Sequence, residues 1–369
     1  MLSAAGDDES QGLSSRRSAL KLIGTGGIAL ATGGLWGCAS QPAIDVLAPP
    51  STLRPELLRQ FEMETGLLVR PSSWISPTDA LGKLLSSSAR VDLMIGLSDL
   101  FTPAIPAAVE RGLLTAIDPA QLPAASRTAA SFRADKYQDG GRIYSVPLYW
   151  GYDTVLYNRG QVAADDPLRN SWGLIFDDRF AGRVSLKDDA HESIMPTALY
   201  MGHADPLAMD RADLREVTRF LISKKANFRA LWSKFAEATQ LMATGEVVAM
   251  YGYPLLLQTL RSQGIDIVAS RPREGLLLFV QSAFLPSSGA SPEGALQWLN
   301  FLLRPDVVRK LMEQTAVLSP SSAIMDRLSP EERQRFGYNI VDDGTKLVRL
   351  GRPAHLEYWI EAWAEFKAA

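Results

Sequence analysis

The 369-residue sequence holds one cysteine and three histidines. A single thiol, Cys38, excludes an internal disulfide framework, a Cys-x-x-Cys redox pair and a thiolate zinc cluster. His191, His203 and His355 stand far apart, so nothing pairs them into a metal or nucleophile site, and His191 beside Glu192 reads as a solvated helix residue. The patterns GxSxG, HExxH, GxxxxGK[ST] and GxGxxG are all missing. Charge of one sign is not in excess either: 38 Lys and Arg face 41 Asp and Glu, a formal net charge of −3. No broad basic field therefore exists to draw nucleic acid. A long hydrophobic run is also lacking. The stretch from Leu22 to Trp36 is interrupted by five glycines, and a helix that stays in a bilayer needs about 20 predominantly apolar residues. What remains, 46% hydrophobic and 21% charged residues, is the composition of a globular protein long enough for two domains.

The first forty residues read as an address. Ser15, Arg16, Arg17, Ser18, Ala19, Leu20 and Lys21 set adjacent arginines before the short apolar run, the order of a bacterial export signal. The twin arginines match the twin-arginine pattern except for Ala19, and an ordinary export signal with two incidental arginines is the alternative. Leu35, Trp36, Gly37 and Cys38 resemble a lipoprotein cleavage box, with Trp36 unusual in it. Residues 1–37 are expected to be removed as a signal, Cys38 to carry lipid, and residues 38–43 to form a tether. Acyl chains would then hold the protein at a membrane surface without a spanning helix. The alternative is cleavage a few residues later, leaving Cys38 a free thiol of no consequence.

The remainder alternates short apolar runs with amphipathic ones. Strands are expected at Ile44 to Ala48, Leu67 to Arg70 and Val91 to Ile95, separated by a helix starting at Pro55 and closed by Gly66, and by a helical stretch near Ala80 to Leu85. The rhythm returns with strands at Arg183 to Leu186, Val247 to Tyr251 and Leu276 to Leu285, and helices at His191 to Met201 and Leu255 to Arg261. Helices from Pro292 to Leu303 and on to Gln314 follow, and the chain ends on a helix with Leu356, Trp359, Ile360, Trp363 and Phe366 on one stripe. Alternation of this kind predicts an α/β fold with sheets covered by helices. No segment reads as a flexible interdomain linker, so the strands themselves are expected to cross between two lobes.

Three groups of residues carry a family resemblance. The first is Val146 to Gly151 with Tyr157 and Asn158. The second runs from Ser171, Trp172, Phe176 and Phe180 through Gly182 and Val184 into Asp188, Asp189, Ala190, His191 and Glu192. The third is Glu293 through Leu303 to Arg304, Pro305, Asp306 and Val307, followed by Pro320. In this order the chain resembles the extracellular solute-binding proteins of bacterial ABC importers, the branch that includes spermidine- and putrescine-binding proteins. The resemblance implies a two-lobe periplasmic-binding-protein fold, each lobe a mixed sheet flanked by helices. The lobes would comprise 44–147 with 283–325 and 148–282 with 326–369. It also implies a monomer outside the cytoplasmic membrane that delivers a small amine-like ligand to a membrane permease, with no cofactor, metal, nucleic-acid partner or catalysis.

An amine site needs carboxylates for the ammonium groups and aromatic faces for the methylenes. By resemblance, Asp189 and Glu192 hold amines, and three-residue spacing at a helix start puts them on one face; helix capping by Asp188 or Asp189 is the competing reading. Tyr253 and Phe279 fall at the family's aromatic walls, with core packing as the alternative, and Trp150 packs the hinge or edges into the cleft. The chain departs from the family at Gln281, where a carboxylate is expected, and at Pro49 and Thr52, where aromatics are. It departs again at Leu97 and Asp99, with Ser98 between them as a cleft candidate. These departures point to a smaller or less cationic ligand. Tyr251 and Tyr253, sharing a strand face, would suit a ferric-ion binder; an exported enzyme, or a lipoprotein that senses a solute, are further alternatives.

Overall fold

The computed structural model describes residues 41–49, 52–74, 76–86 and 90–369, with the side chains of residues 341 and 342 left aside. The expected signal, the cleavage box, Cys38 and the start of the tether lie outside the described residues. Gln41–Ala369 forms one compact unit.

Its frame is a ten-stranded mixed sheet. The strands are β1 (Ala43–Leu47), β2 (Leu68–Ser72), β3 (Leu93–Leu97), β4 (Gln138–Asp139), β5 (Arg142–Ile143), β6 (Val146–Asn158), β7 (Val184–Lys187), β8 (Phe228–Trp232), β9 (Ala249–Gly252), β10 (Ile267–Ala269), β11 (Leu276–Phe284) and β12 (Leu347–Arg349). β4 and β5 form a separate two-stranded ribbon. At one end of the main sheet β1 lies between β2 and β3, all parallel; at the other β7 lies between β9 and β8, also parallel. Parallel triplets of this kind need helical crossovers, which explains the strand–helix alternation legible in the sequence.

Two long antiparallel strands join the ends. β6 runs for thirteen residues, roughly 40 Å at the usual rise. Val146 to Asp153 pair with β11, while Thr154 to Tyr157 pair with β9 and Leu156 to Asn158 with β10. β11 in turn reaches β3 through Phe284 to Gln281. The connection between the two ends is therefore backbone ladder, as the absence of linker composition predicts.

Around β1 to β3 the core is aromatic and aliphatic. Phe61, from helix Pro55–Thr65, meets Trp298 and Phe301, from helix Pro292–Leu302, with ring centroids 4.9 and 5.3 Å apart. Gly66 closes the first helix in the left-handed conformation at φ 72°, where a side chain would be strained. At the other end, helices Ala190–Met201, Arg211–Ser223 and Leu356–Ala368 pack together beside β7 and β9. The C-terminal helix buries Trp359, Trp363 and Phe366 with Ala362 between them. Ile360 is not part of that stripe: it is 48% exposed, one residue off the 3.6-residue period.

Candidate functional site

The β6–β11 ribbon has two unlike faces. On one, Trp150 lies with Leu276, Leu278 and Val280 under Val308, Met312, Leu318 and Tyr338. Trp150 is buried, lies 5.4 Å from Phe132 in a tilted pair and 5.9 Å from Tyr338 edge-on, and donates its indole N–H to the Ser319 carbonyl at 3.2 Å. This corrects the expectation of a cleft edge for Trp150: strand alternation turns it to the covered face.

The other face carries Gly151, Asp153, Phe279 and Gln281. Phe279 pairs with Gly151 across the ladder, and its ring lies where a Cβ on residue 151 would stand, 2.5 Å from the nearest ring carbon. Glycine here is what lets the ring lie flat on β6. Gln281, opposite Tyr149, is buried, and its side-chain oxygen has no hydrogen-bond partner. An unmet buried acceptor of this kind is uncommon and calls for a ligand or water to satisfy it. Ser98, at the end of β3, is buried and its hydroxyl lies 3.3 Å from that of Thr102.

At the end of β7 and the start of helix Ala190–Met201, three neighbouring carboxylates have three separate tasks. Asp188 accepts from the Trp363 indole and the Lys367 ammonium, both at 3.0 Å, and so pins the C-terminal helix. Asp189 caps the helix, one carboxylate oxygen accepting from the backbone N–H groups of His191 and Glu192 at 2.9 Å. The capping reading is thus the one the geometry realises for Asp189. Glu192 turns inward, its side chain only 14% exposed, and pairs with the Lys187 ammonium.

Lys187 is a residue that sequence reasoning missed, although it stands directly before the acidic segment on a strand end. Its Nζ lies 5.6 Å above the Trp232 ring, and Trp232 lies 6.1 Å from Tyr253. Burial disfavours the Lys187 ammonium, but the carboxylates of Glu192 and Asp189 outweigh it and hold the proton more tightly than usual. Glu192 is pushed upward by burial and pulled back by Lys187. Asp153, also missed, is 3% exposed and accepts from the Tyr251 hydroxyl at 2.5 Å. Burial first, and then the nearby Glu192 charge, push it up to about 8. A lone acid inside the otherwise apolar run of β6 was the available signal.

Two further expectations change. His191 is buried, 5.7 Å from Trp359, because residues 191, 194, 195 and 198 turn toward the C-terminal helix. Tyr251 and Tyr253 do not share a strand face: β9 ends at Gly252, Tyr251 is engaged by Asp153 in the core, and Tyr253 precedes helix Pro254–Ser262. That takes away the paired hydroxyls of the ferric-ion alternative. Asp99, one of the departures from the family, is engaged elsewhere. It forms a two-pronged pair with Arg349 of β12, at 2.7 and 3.0 Å, and Arg349 also reaches Asp135 at 2.5 Å. Among the described residues no group of three His, Cys, Asp or Glu is placed to hold a metal ion, and no helix is long and apolar enough to cross a membrane.

Comparison with known proteins agrees with this architecture. The model of a family described as bacterial extracellular solute-binding protein matches residues 56–331. The spermidine/putrescine-binding periplasmic protein of Escherichia coli is 28% identical over 284 residues, 75% of this chain and 77% of that protein. A putrescine/cadaverine-binding protein of Pseudomonas aeruginosa is 22% identical, covering 80% and 83% respectively. Among solved structures, a chain described as a spermidine/putrescine ABC transporter from Listeria monocytogenes superposes with a TM-score of 0.76 at 22% identity, over 88% of this chain and 98% of that one. The fold is the two-lobe α/β arrangement of periplasmic binding proteins.

Proposed function

We propose a transport role on one premise: the chain belongs to the bacterial extracellular solute-binding proteins. It captures a small, cationic, amine-type solute between two lobes and hands it to the permease of an ABC importer, acting as a monomer without catalysis. The lobes are taken as 44–147 with 283–325 and 148–282 with 326–369, so that β6 and β11 serve as the hinge. The mature protein stands outside the cytoplasmic membrane, its twin-arginine signal removed and its anchor a lipid on Cys38. Mass spectrometry of the membrane-bound protein tests the anchor by the mass on its N-terminal residue.

The observation that carries the ligand class is Glu192: an inward-facing carboxylate paired with Lys187, whose ammonium lies over the Trp232 ring, with Tyr253 next to Trp232. Carboxylates with aromatic walls are what ammonium and methylene groups require. Ser98, Phe279 and Gln281 are proposed as further contacts of the solute, together with Asp189 through the carboxylate that also caps the helix. Names of the relatives support the same class.

Residues 38–369 carrying Cys38→Ser, screened by thermal shift against mono-, di- and polyamines, amino acids, sugars and ferric salts, are expected to respond to amines. A ligand at 100 times its Kd stabilises by about 2.7 kcal/mol. Glu192→Gln, with circular dichroism unchanged, should lose the response. Response to ferric salts alone, or turnover of a panel member, would discard the proposal.

A further inference from the structure

The seat that an amine would occupy is already occupied by the chain itself. Beyond its backbone, Lys187 is an alkylammonium, chemically the same group that a polyamine presents. Its ammonium has what an ammonium receptor supplies: the Glu192 carboxylate in contact, the Asp189 carboxylate and Tyr253 hydroxyl within electrostatic reach, and the Trp232 face 5.6 Å away. The Lys187 and Glu192 side chains keep 21% and 14% of their surface exposed, so the seat is enclosed yet reachable from solvent.

Charge can then be counted. Lys187 neutralises Glu192. Gln281 of β11 is uncharged, and Asp153 accepts from the Tyr251 hydroxyl while burial disfavours its charged form. The Asp189 carboxylate is a second negative group within reach of that one ammonium, and one of its oxygens serves the helix cap.

We infer that Lys187 is a tethered stand-in for a ligand ammonium and the residue that sets ligand charge, so that the natural solute carries one positive charge. A monoamine meets that charge; a diamine brings one charge more than the site can answer. The inference rests on reading the site as an amine pocket.

Two measurements on residues 38–369 with Cys38→Ser separate the inference from that reading. Lys187→Ala removes an n-propylammonium group. Millimolar n-propylammonium chloride should raise the melting temperature of Lys187→Ala, leave the parent protein unmoved, and fail on Lys187→Ala/Glu192→Gln; sodium chloride at equal ionic strength should do nothing. Absence of this rescue overturns the seat, whatever amines bind elsewhere. In the second measurement, calorimetry compares ethanolamine, n-butylamine and putrescine on the parent and on Lys187→Met, which keeps the volume and drops the charge. Putrescine should gain about tenfold in affinity or more on Lys187→Met, and ethanolamine should bind the parent more tightly than putrescine does. Equal putrescine affinity in both proteins, or loss of all amine binding with Lys187→Met folded, overturns the inference. Rescue without binding of any amine by either protein removes the proposed function and leaves Lys187 as the seat's occupant. If Lys187→Ala does not fold, Lys187→Met carries the decision alone.

Discussion

The two ends of the sheet are built on different terms. Around β1 to β3 the interior is Phe61, Trp298, Phe301 and aliphatic neighbours, with ion pairs such as Arg70–Asp45 on the exposed rim. Asp92, buried there, accepts from the fixed backbone N–H groups of Asp45 and Ser291 at 2.7 and 2.6 Å. Beside β7 and β9 the interior instead holds Lys187, Glu192, Asp153, His191 and Tyr251, and these groups answer chiefly one another. Ionisable side chains that lean on each other are poor stabilisers, because desolvation consumes most of their attraction. A protein that is locally consistent elsewhere and breaks the rule in one layer marks that layer as its working part.

The contrast is sharpest for substitutions that test stability alone. Trp298→Ala empties a fully buried site between Phe61 and Phe301 and is expected to lower unfolding free energy by about 3 to 5 kcal/mol, read by urea denaturation. The fraction that stays folded should keep its amine affinity. A shift in affinity as large as that in stability would mean that the two ends do not divide the labour in this way.

Stability against pH tests the other end. Burial pushes Asp153 up to about 8 in the folded protein, whereas in the unfolded chain it ionises near 3.8. Between these values the folded state binds more protons, so Asp153 makes stability fall as pH rises from 4 to 8, by at most about 1.4 kcal/mol per pH unit. His191 acts with the opposite sign. Burial lowers it below its ordinary value, so at any pH below that ordinary value folding strips a proton from it, and stability is lost as pH falls toward the lowered value. Asp153→Asn should flatten the decline between pH 5 and 8 in denaturation curves. An unchanged slope in that variant would mean that Asp153 is ionised in the fold.

Much of the fold was readable in the sequence. Helix starts at Pro55, Pro292 and Pro305 and the stop at Gly66 are local signals, because proline at a first turn and glycine in a left-handed cap need no tertiary context. The crossing strand was only half visible. Asp153 and Tyr152 interrupt its apolar pattern, and its thirteen-residue length follows from pairing with β11, β9 and β10. Residue types in the site were read more easily than their tasks. Three-residue spacing placed Asp189 and Glu192 together, but which of them caps and which turns inward depends on helix phase, fixed by the Asp188 contacts to Trp363 and Lys367 far along the chain. Lys187 escaped notice because a lysine at a strand end is ordinarily a solvated terminus; only the arrival of Trp232 and Glu192 above it makes it interior.

The smallest expected effect concerns the link between the two ends. Arg349, on β12 beside Leu278 of β11, holds Asp99 at the end of β3 and Asp135 near β4. The three side chains are 35%, 15% and 3% exposed, so the Arg349 end is screened by solvent while the Asp135 end is not. Burial pushes Asp99 upward, and the guanidinium opposes that. Arg349→Lys keeps the charge but removes the planar fork that contacts both carboxylates at once. A lysine reaches one of them, leaving Asp135 with a buried oxygen to satisfy. Loss of one charge-assisted contact, discounted for the exposed end, amounts to about 1 kcal/mol, read by urea denaturation at low and high salt. Because the triad ties β12 to the β3 end across β11, the same variant should bind amines with altered on-rates and off-rates if closure bends the sheet there. Unaltered rates, alongside the expected stability loss, would place the bending elsewhere along β6.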